Sequence, residues 1–358
     1  MTVEATPVVS RDRLLTLAEG FPSGLNTADP ATDLDANETP DAVGLDLSKD
    51  GRLAKGSAPT GVARNIAQRT VNSVTYEWHH RRLWRINSTD LEYGAYDYDD
   101  KFLKQGISKI PALHDSTTAI LQFVPFGSDM MCVSTEEGSS VVSNVADTRA
   151  IMPVSNFIEE LKISAAGAIT ELDGVVYASN ADGIFSFNGQ QVQEVTRKVR
   201  NDLTPFASQN LYYQSGDIEK KYILSGSATN AVVGVYEVPT QKLFEYSGST
   251  FRWTSRQFHL PNYDTFQPQA LRFVVEHNNT DNGYLTYQVR YDDDEWSAEN
   301  TTNLPYTSEL YTIVREDIPN GGQSCRRFQL RINDIDVNKY IKKIVFDPRD
   351  FNLDDYGV

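Results

Sequence analysis

The chain has 358 residues, 33 basic against 49 acidic, giving a formal charge of -16 at neutral pH, with 40% apolar and 11% aromatic residues. That length predicts two or three domains, each large enough for its own core, and the apolar content excludes global disorder. The acidic balance argues against a protein that coats nucleic acid, because affinity for a polyphosphate comes chiefly from Lys and Arg displacing counterions.

No stretch approaches 18 consecutive apolar residues, so no membrane-spanning helix is expected. The first twenty residues lack a basic start and an unbroken apolar run, with Glu4 and Asp12 interrupting them, which predicts synthesis and folding in a cytoplasm. The only cysteines, Cys132 and Cys325, are too few for a disulfide framework or a cysteine zinc finger. A single bridge between them is open, but two buried free thiols are the expected state.

Residues 10–17 carry a helix-cap serine and the Leu14, Leu15, Leu17 cluster, a run too short for a helix stable in isolation. From Asp29 to Asp46 come six carboxylates (Asp29, Asp33, Asp35, Glu38, Asp41, Asp46), no base and few large apolar groups. Such a segment cannot fold alone, so residues 1–61 are expected to be an extended arm ordered only by lying on something else. Within it, 44–53 (GLDLSKDGRL) reads as a small hairpin or a strand added to a neighbouring sheet.

Residues 62–248 form a series of short β-type runs. Four align as strand, polar turn and strand, in the stretches that begin at Arg81, Asp129, Asp173 and Lys220. Taking Leu83, Met130, Val175 and Tyr222 as equivalent gives intervals of about 45 to 47 residues, near the spacing of propeller blades. In the third unit Val175 to Tyr177 lead into Asn180-Ala181-Asp182-Gly183, whose residues tolerate positive φ, and Ile184, Phe185 and Phe187 return. The spacing of Val192, Val195, Val199 and Leu203 then predicts a short helix ending near Pro205.

Residues 249–358 read differently. Leu271, Phe273 and Val275, then Leu285, Tyr287, Val289 and Tyr291, then Phe328, Leu330 and Ile332 alternate with polar residues. Strict period two predicts one buried and one wet face, and with runs at Phe251, Tyr311 and Ile344 this makes an antiparallel β-sandwich. The fold class expected is therefore all-β: a small β-propeller or propeller-like body of short antiparallel sheets plus a C-terminal β-sandwich, with an extended N-terminal arm.

Chemistry-bearing motifs are sparse. The histidines His79, His80, His114, His259 and His277 include no helical His-x-x-x-His pair and no cysteine at ligand spacing. His79-His80 reads as a hairpin flank. The acidic groups Asp97, Asp99, Asp100 and Asp292 to Glu295 lack the spacing of a twelve-residue calcium loop and read as solvated turns. Nucleophile elbows, phosphate loops and dinucleotide fingerprints are missing from the sequence, while Ser215-Gly216-Asp217 and Asn320-Gly321-Gly322 are turn chemistry. A carboxylate pair for glycoside hydrolysis is compatible with any sequence spacing, although most carboxylates here fall in turns. The nearest thing to a basic patch is Arg315, Arg326, Arg327, Arg331, Lys339, Lys342 and Lys343, expected on the wet face of a sheet. Tyr93, Tyr96, Tyr98 and the pair Tyr212-Tyr213 are either strand residues packed on one face or a subunit interface.

Three segments carry a resemblance: GFPSGLNTADPATDLDANETPDAVGLDLSKDGRLAKG from Gly20, DGVVYASNADGIFSFNGQQVQEVTRKVRNDL from Asp173, and FEYSGSTFRWTSRQFHLPNYDTFQPQALRF from Phe244. They resemble the preamble, a blade and the start of the terminal sandwich in propeller-containing structural proteins of tailed bacteriophages, the tail nozzle and head-to-tail stabilisation family. The resemblance touches about half of the chain, and none of its motifs is catalytic. It implies a non-enzymatic virion protein in a homo-oligomeric ring of the tail or head-to-tail region, contacting other tail or connector proteins. No catalytic, cofactor-binding or metal-ligating residue, no cofactor and no membrane contact are expected, and DNA would pass the ring without specific binding. Four hairpin units are fewer than a usual closed propeller has; a fifth blade within 107–124, or strands from the arm, would close the ring. On a virion the acidic arm would order on a neighbouring subunit. The rival expectations are a receptor- or glycan-binding tail protein and a propeller glycoside hydrolase.

Overall fold

The computed structural model describes residues 15–347, apart from 20–23, 31–32, 35–37, 49–51, 64–66, 72–73, 95–107, 111–117, 128, 147–151, 156, 216–219, 260–264, 278–279 and 319–322. Tyr96, Tyr98, the acidic group at 97–100, His114, the turn at 49–51 and the glycines of 320–322 therefore lie outside the described residues. The described chain is all-β, with helical structure confined to two short 3₁₀ stretches. It divides into two compact units, 58–246 and a second that joins 1–57 to 247–358.

The N-terminal segment supplies β1 (Leu15–Glu19), β2 (Gly24–Leu25), β3 (Glu38–Thr39) and β4 (Asp41–Val43). Unit 58–246 then lays down four antiparallel sheets in succession. The first holds β5 (Ala67–Val71), β6 (Val74–His79), β7 (Arg82–Asn87), β8 (Asp90–Tyr93) and β9 (Ser108–Ile110). The second holds β10 (Gln122–Phe126), β11 (Met130–Ser134) and β12 (Ser139–Ser143), with bridges from Val154 and Ile158 extending it beyond β12. The third is β13 (Ile169–Leu172), β14 (Val175–Asn180), β15 (Gly183–Phe187) and β16 (Val192–Glu194). The fourth is β17 (Asn210–Gln214), β18 (Tyr222–Ala228), β19 (Ala231–Glu237) and β20 (Lys242–Glu245).

Each of the four expected strand–turn–strand runs is a hairpin: β7–β8, β11–β12, β14–β15 and β18–β19. Successive sheets are joined through apolar faces. Val133 and Val142 of the second sheet pack with Trp84, Leu91 and Ile110 of the first, and Cys132 and Val141 pack with Ile169, Val176 and Phe187 of the third. One aromatic pair spans each step: Trp84–Phe123 at 6.4 Å, Phe126–Phe187 at 5.5 Å and Tyr177–Tyr236 at 6.3 Å between ring centres. The leading strands β10, β13 and β17 lie beside one another, the arrangement of a propeller's inner strands. Val62 bridges Tyr213 on the free side of β17. The body is thus propeller-like and built on four sheets.

Local chemistry explains the turns. His80 and Arg81, both at positive φ, make the two-residue turn between β6 and β7 that the right-handed twist of a hairpin favours. In the third hairpin Asn180 Oδ1 accepts the Asp182 N–H at 2.8 Å, and Gly183 sits at φ 122° against Thr196 Oγ1, where a Cβ would collide.

Three local expectations are corrected. The residues 192–203 form strand β16 and then a 3₁₀ stretch, Val195–Val199, because Val192 pairs with Phe187 across the sheet. The described residues of 107–124 form no sheet of their own, since β9 ends the first sheet and β10 opens the second, while 107 and 111–117 lie outside the described residues. Residues 15–19 form a strand, since a backbone ladder to the C-terminal strand outweighs the weak local helix signal.

Residues 252–347 complete the second unit with β21 (Arg252–Thr254), β22 (Phe258–His259), β23 (Ala270–His277), β24 (Gly283–Tyr291), β25 (Asn300–Leu304), β26 (Tyr311–Asp317), β27 (Arg327–Ile335) and β28 (Lys339–Asp347). One sheet runs β1-β28-β23-β26; the other includes β4-β21-β27-β24-β25, with β22 also on β27. Their facing sides meet through Phe328–Phe346 at 5.8 Å and Phe273–Tyr287 at 6.0 Å. The apolar positions of the expected alternation are buried at Leu285, Tyr287 and Val289, Phe328, Leu330 and Ile332, and Leu271, Phe273 and Val275, with Tyr291 half-buried; Gln329, expected on the wet face, is buried as well and donates to the Ser255 C=O at 2.7 Å.

The N-terminal segment docks on this sandwich. Besides the pairings of β1 and β4, the small hairpin at 44–56 closes through Asp46 N–H to Ala54 C=O and Gly56 N–H to Gly44 C=O, and Leu53 exchanges backbone hydrogen bonds with Ile341. Leu45, Leu47, Leu53 and Ala54 are buried. The expectation that the arm orders on a neighbouring subunit is therefore corrected: its described part is ordered by its own chain. Leu53→Ala is expected to cost the isolated chain roughly 2–4 kcal/mol of unfolding free energy, read as a lower urea midpoint. A segment ordered only by assembly would leave that midpoint unchanged.

Candidate functional site

The leading strands of the propeller-like body surround a small pit of about 260 Å³ lined by Gln122, Ile169, Asn210, Leu211 and Tyr212, with Ala63, Ala166 and Gly167 at its rim. Its polar side chains are two amides and a phenol. A second cavity of about 370 Å³ opens on the first sheet between Gln68, Thr75, Glu77, Arg85, Asn87 and the rings of Trp84 and Phe123. Close by, buried Glu92 accepts from Arg85 at 2.5 Å and Asn87 at 2.9 Å. Burial opposes its ionisation, but these two partners hold the carboxyl below its usual range. Glycoside hydrolysis needs two carboxyl groups facing one sugar. Among the described lining residues, the first cavity has no carboxylate and the second has Glu77.

The residues singled out in the sequence are scattered. His79 ends strand β6 as a hairpin-flank residue, whereas His80, expected beside it on the strand, is in the turn itself; their rings are 4.0 Å apart, and the Nε2 atoms of both are buried without a hydrogen-bond partner among the described residues. Burial, followed by the neighbouring His80, lowers the His79 imidazole to about 4. Cys132 and Cys325 are free and buried. Burial pushes their thiols up to about 11 and about 12. Asp292 is a turn residue at positive φ whose Oδ1 accepts the N–H groups of Arg326 and Arg327, both at 2.9 Å. Tyr93 packs against Trp84 at 5.3 Å and Tyr212 is buried, so of the aromatic group these two follow the packing reading.

The basic set is not one patch. Arg315 and Arg327 pair with Asp317 and Asp293, and Lys342 lies 4.6 Å over the Tyr311 ring. Arg331 lies 4.1 Å over Trp296, with Arg290 at 5.0 Å from the same ring, and Arg252 pairs with Asp41 at 2.5 Å. Lys339, expected on a wet face, is fully buried.

That buried ammonium anchors a network the sequence did not single out. Lys339 Nζ donates to the Asp281 C=O and lies 3.2 Å from His277 Nδ1. His277 Nε2 is 2.8 Å from Thr312 Oγ1, which is 2.6 Å from Thr307 Oγ1. An ammonium has only donors, so His277 Nδ1 accepts and Nε2 carries the proton. The imidazole therefore donates to Thr312 and cannot take that hydroxyl's proton as a general base would. Burial, then Lys339, lowers the His277 value, and burial lowers that of Lys339. The arrangement is a donor chain that ties loops together.

No family model and no curated protein matches the chain. Among solved structures, an exo-β-1,3-galactanase from Phanerochaete chrysosporium with galactose is similar at 10% identity and TM-score 0.21, over 83% of this chain and 100% of that one. A glycoside hydrolase follows at 8% identity and TM-score 0.20, over 81% and 98%. A Bacillus thuringiensis Cry1Da tryptic core variant has 10% identity and TM-score 0.22, over 83% of this chain and 53% of that chain. Likeness at this level carries no argument about activity.

Two outcomes follow from the titrating groups. Thiol-directed alkylation at neutral pH is expected to be slow for both cysteines in the native chain and fast in urea, because little thiolate forms when burial raises the thiol. His79 makes stability acid-sensitive. Between its ordinary 6.5 and its folded value of about 4, the unfolded chain takes up a proton that the folded chain refuses, so stability falls as pH drops through that window. Urea midpoints across the window should decline for the native sequence and decline less for His79→Leu.

Proposed function

We propose that this chain is a non-enzymatic structural protein of a tailed bacteriophage particle, assembled in the host cytoplasm into an oligomeric ring of the tail or head-to-tail region. The observation that carries this reading is the order of parts: an N-terminal segment, a propeller-like body and a terminal sandwich. That order follows the three segments whose sequence resembles nozzle and head-to-tail stabilisation proteins. Rigid β-units supply walls, and repeated contacts around a ring add through multivalency. The net charge of -16 suits a conduit for DNA, since a carboxylate-rich lining repels phosphate over roughly 8–10 Å.

The described part of residues 15–57 pairs within its own chain, so no contact with another subunit is assigned to that part. The test is a mass-spectrometric inventory of purified particles together with electron microscopy. This polypeptide should be present in several copies per particle and form rings; particles without it reject the proposal. Saccharide release by the purified chain, lost on changing Glu77 alone, would instead favour the hydrolase reading.

A further inference from the structure

The sheet that runs β4-β21-β27-β24 gathers arginines on its outer side, on a chain that is otherwise acidic. Trp253, Val289, Leu330 and Ile332 go inward and are buried. Alternation then turns Asp41, Arg252, Thr254, Arg290 and Arg331 to the opposite face. Register brings these five together. Thr254 is the partner of Asp41 on one side and of Arg331 on the other, Arg252 lies two residues before Thr254, and Arg290 pairs with Gln329, two residues before Arg331. Trp296, in the connection from β24 to β25, covers two of them: its ring centre lies 4.1 Å from the Arg331 guanidinium and 5.0 Å from that of Arg290. The next residue fixes this connection, since the Ser297 N–H donates to the Val289 C=O at 2.9 Å.

The three guanidinium groups share few partners. Arg252 pairs with Asp41 at 2.5 Å, and Arg331 stands 3.8 Å from the same carboxylate while its Nε donates to Thr254 Oγ1 at 3.2 Å. Arg290 donates to Gln329 Oε1 at 2.5 Å, and its Nε is buried without a hydrogen-bond partner among the described residues. Each guanidinium carries five donors in a planar fork, so most of these N–H groups are left over from the contacts that hold the cluster together. Stacking on Trp296 occupies the face of the fork and not its donor edge. The cluster also meets solvent, with the Arg252 side chain 42% exposed and that of Arg331 25%.

The charges are unequal in number. Burial works against the Arg331 charge, Asp41 favours it, Arg252 and Arg290 oppose it, and its value falls. The other carboxylates of the Trp296 connection are engaged elsewhere or stand in water. Asp292 accepts the N–H groups of Arg326 and Arg327, and Asp293 pairs with Arg327. Arg327 is four residues from Arg331 along β27, about 13 Å at the rise of a strand, which is beyond the roughly 8 Å reach of screened charges. Glu299 accepts from Asn333 at 2.7 Å, and Asp294 and Glu295 are exposed. Like charges held together at a cost, on a chain of -16, are what a bound anion would relieve.

We infer that Arg252, Arg290 and Arg331, braced by Trp296, form an oxyanion-binding site that takes a phosphate or carboxylate group, with Asp41 as a built-in competitor. Both groups match the donor fork of arginine. The inference holds whether or not the chain belongs to a virion.

The test follows the unfolding temperature of the full chain in phosphate, in glutarate and in chloride at one ionic strength. A bound anion raises that temperature with a saturating dependence on its concentration, whereas exclusion of phosphate from protein surfaces acts alike on every variant. Phosphate or glutarate should stabilise the native chain beyond chloride, and a response to one alone identifies the oxyanion. Arg252→Gln should weaken binding about tenfold, and Asp41→Asn should strengthen it about threefold, because a competing carboxylate is gone. A merely structural ion pair would not give these opposite shifts. Arg315→Gln, at an arginine of the other sheet paired with Asp317, should bind as the native chain does. Absence of a saturating response to either anion, or an affinity that Arg252→Gln does not lower or Asp41→Asn does not raise, overturns the inference. So does an equal loss in Arg315→Gln, the mark of an adventitious ion only.

Discussion

A β-sheet has two edges, and the backbone groups along each must be paired or left to water. Much of this chain is arranged by that requirement. β1 lies along β28, and Leu53 pairs with Ile341 beside it. β4 lies along β21. In the other unit Val154 and Ile158 bridge β12, and Val62 bridges Tyr213 of β17. Short irregular segments thus do as much to finish the sheets as the regular strands do to start them. The cost of ordering such segments, about 1–2 kcal/mol of backbone entropy per residue, is offset where leucines go under cover with them, as Leu45 and Leu53 do.

The same economy shapes the propeller-like body. Four sheets of three to five strands each have little interior of their own, so apolar faces of adjacent sheets are buried against one another. One aromatic pair per junction supplies much of the area, since each ring buries about 150–250 Å². The result is a succession of modules in which loss of one interface exposes two faces. This organisation favours stiffness over deep cavities, and the pit and the first-sheet cavity described above are correspondingly small and open.

Period-two alternation made β23, β24 and β27 legible before any coordinates, because one buried and one wet face leave an unambiguous mark. Hairpin grammar did the same for the four central units. What stayed hidden depended on partners distant in sequence. Leu15 to Glu19 carries a weak helical pattern, and only β28 makes it a strand. β25 (NTTNL) has too little apolar content to announce itself, although it pairs fully with β24. Lys339 reads as a surface lysine until the shift of register between Val274 and Val275 is known. Its inward direction, like that of Ile341, Ile344 and Phe346, follows from that irregularity, since strict alternation from Phe346 would turn Lys339 and Ile341 outward.

The titrating groups share a cause. Cys132, Cys325, His79, Tyr177, Tyr287 and Tyr291 all depart from their ordinary values with burial as the largest influence, and in each case burial favours the neutral form. Sites tuned for proton or nucleophile chemistry pair desolvation with a specific opposing charge, so that the group remains usable near neutral pH. Here the shifts move the thiols and phenols away from reactivity, and the hydrogen-bond chain at His277 runs in the donor direction only. Buried polar groups arranged in this way hold backbone segments in register.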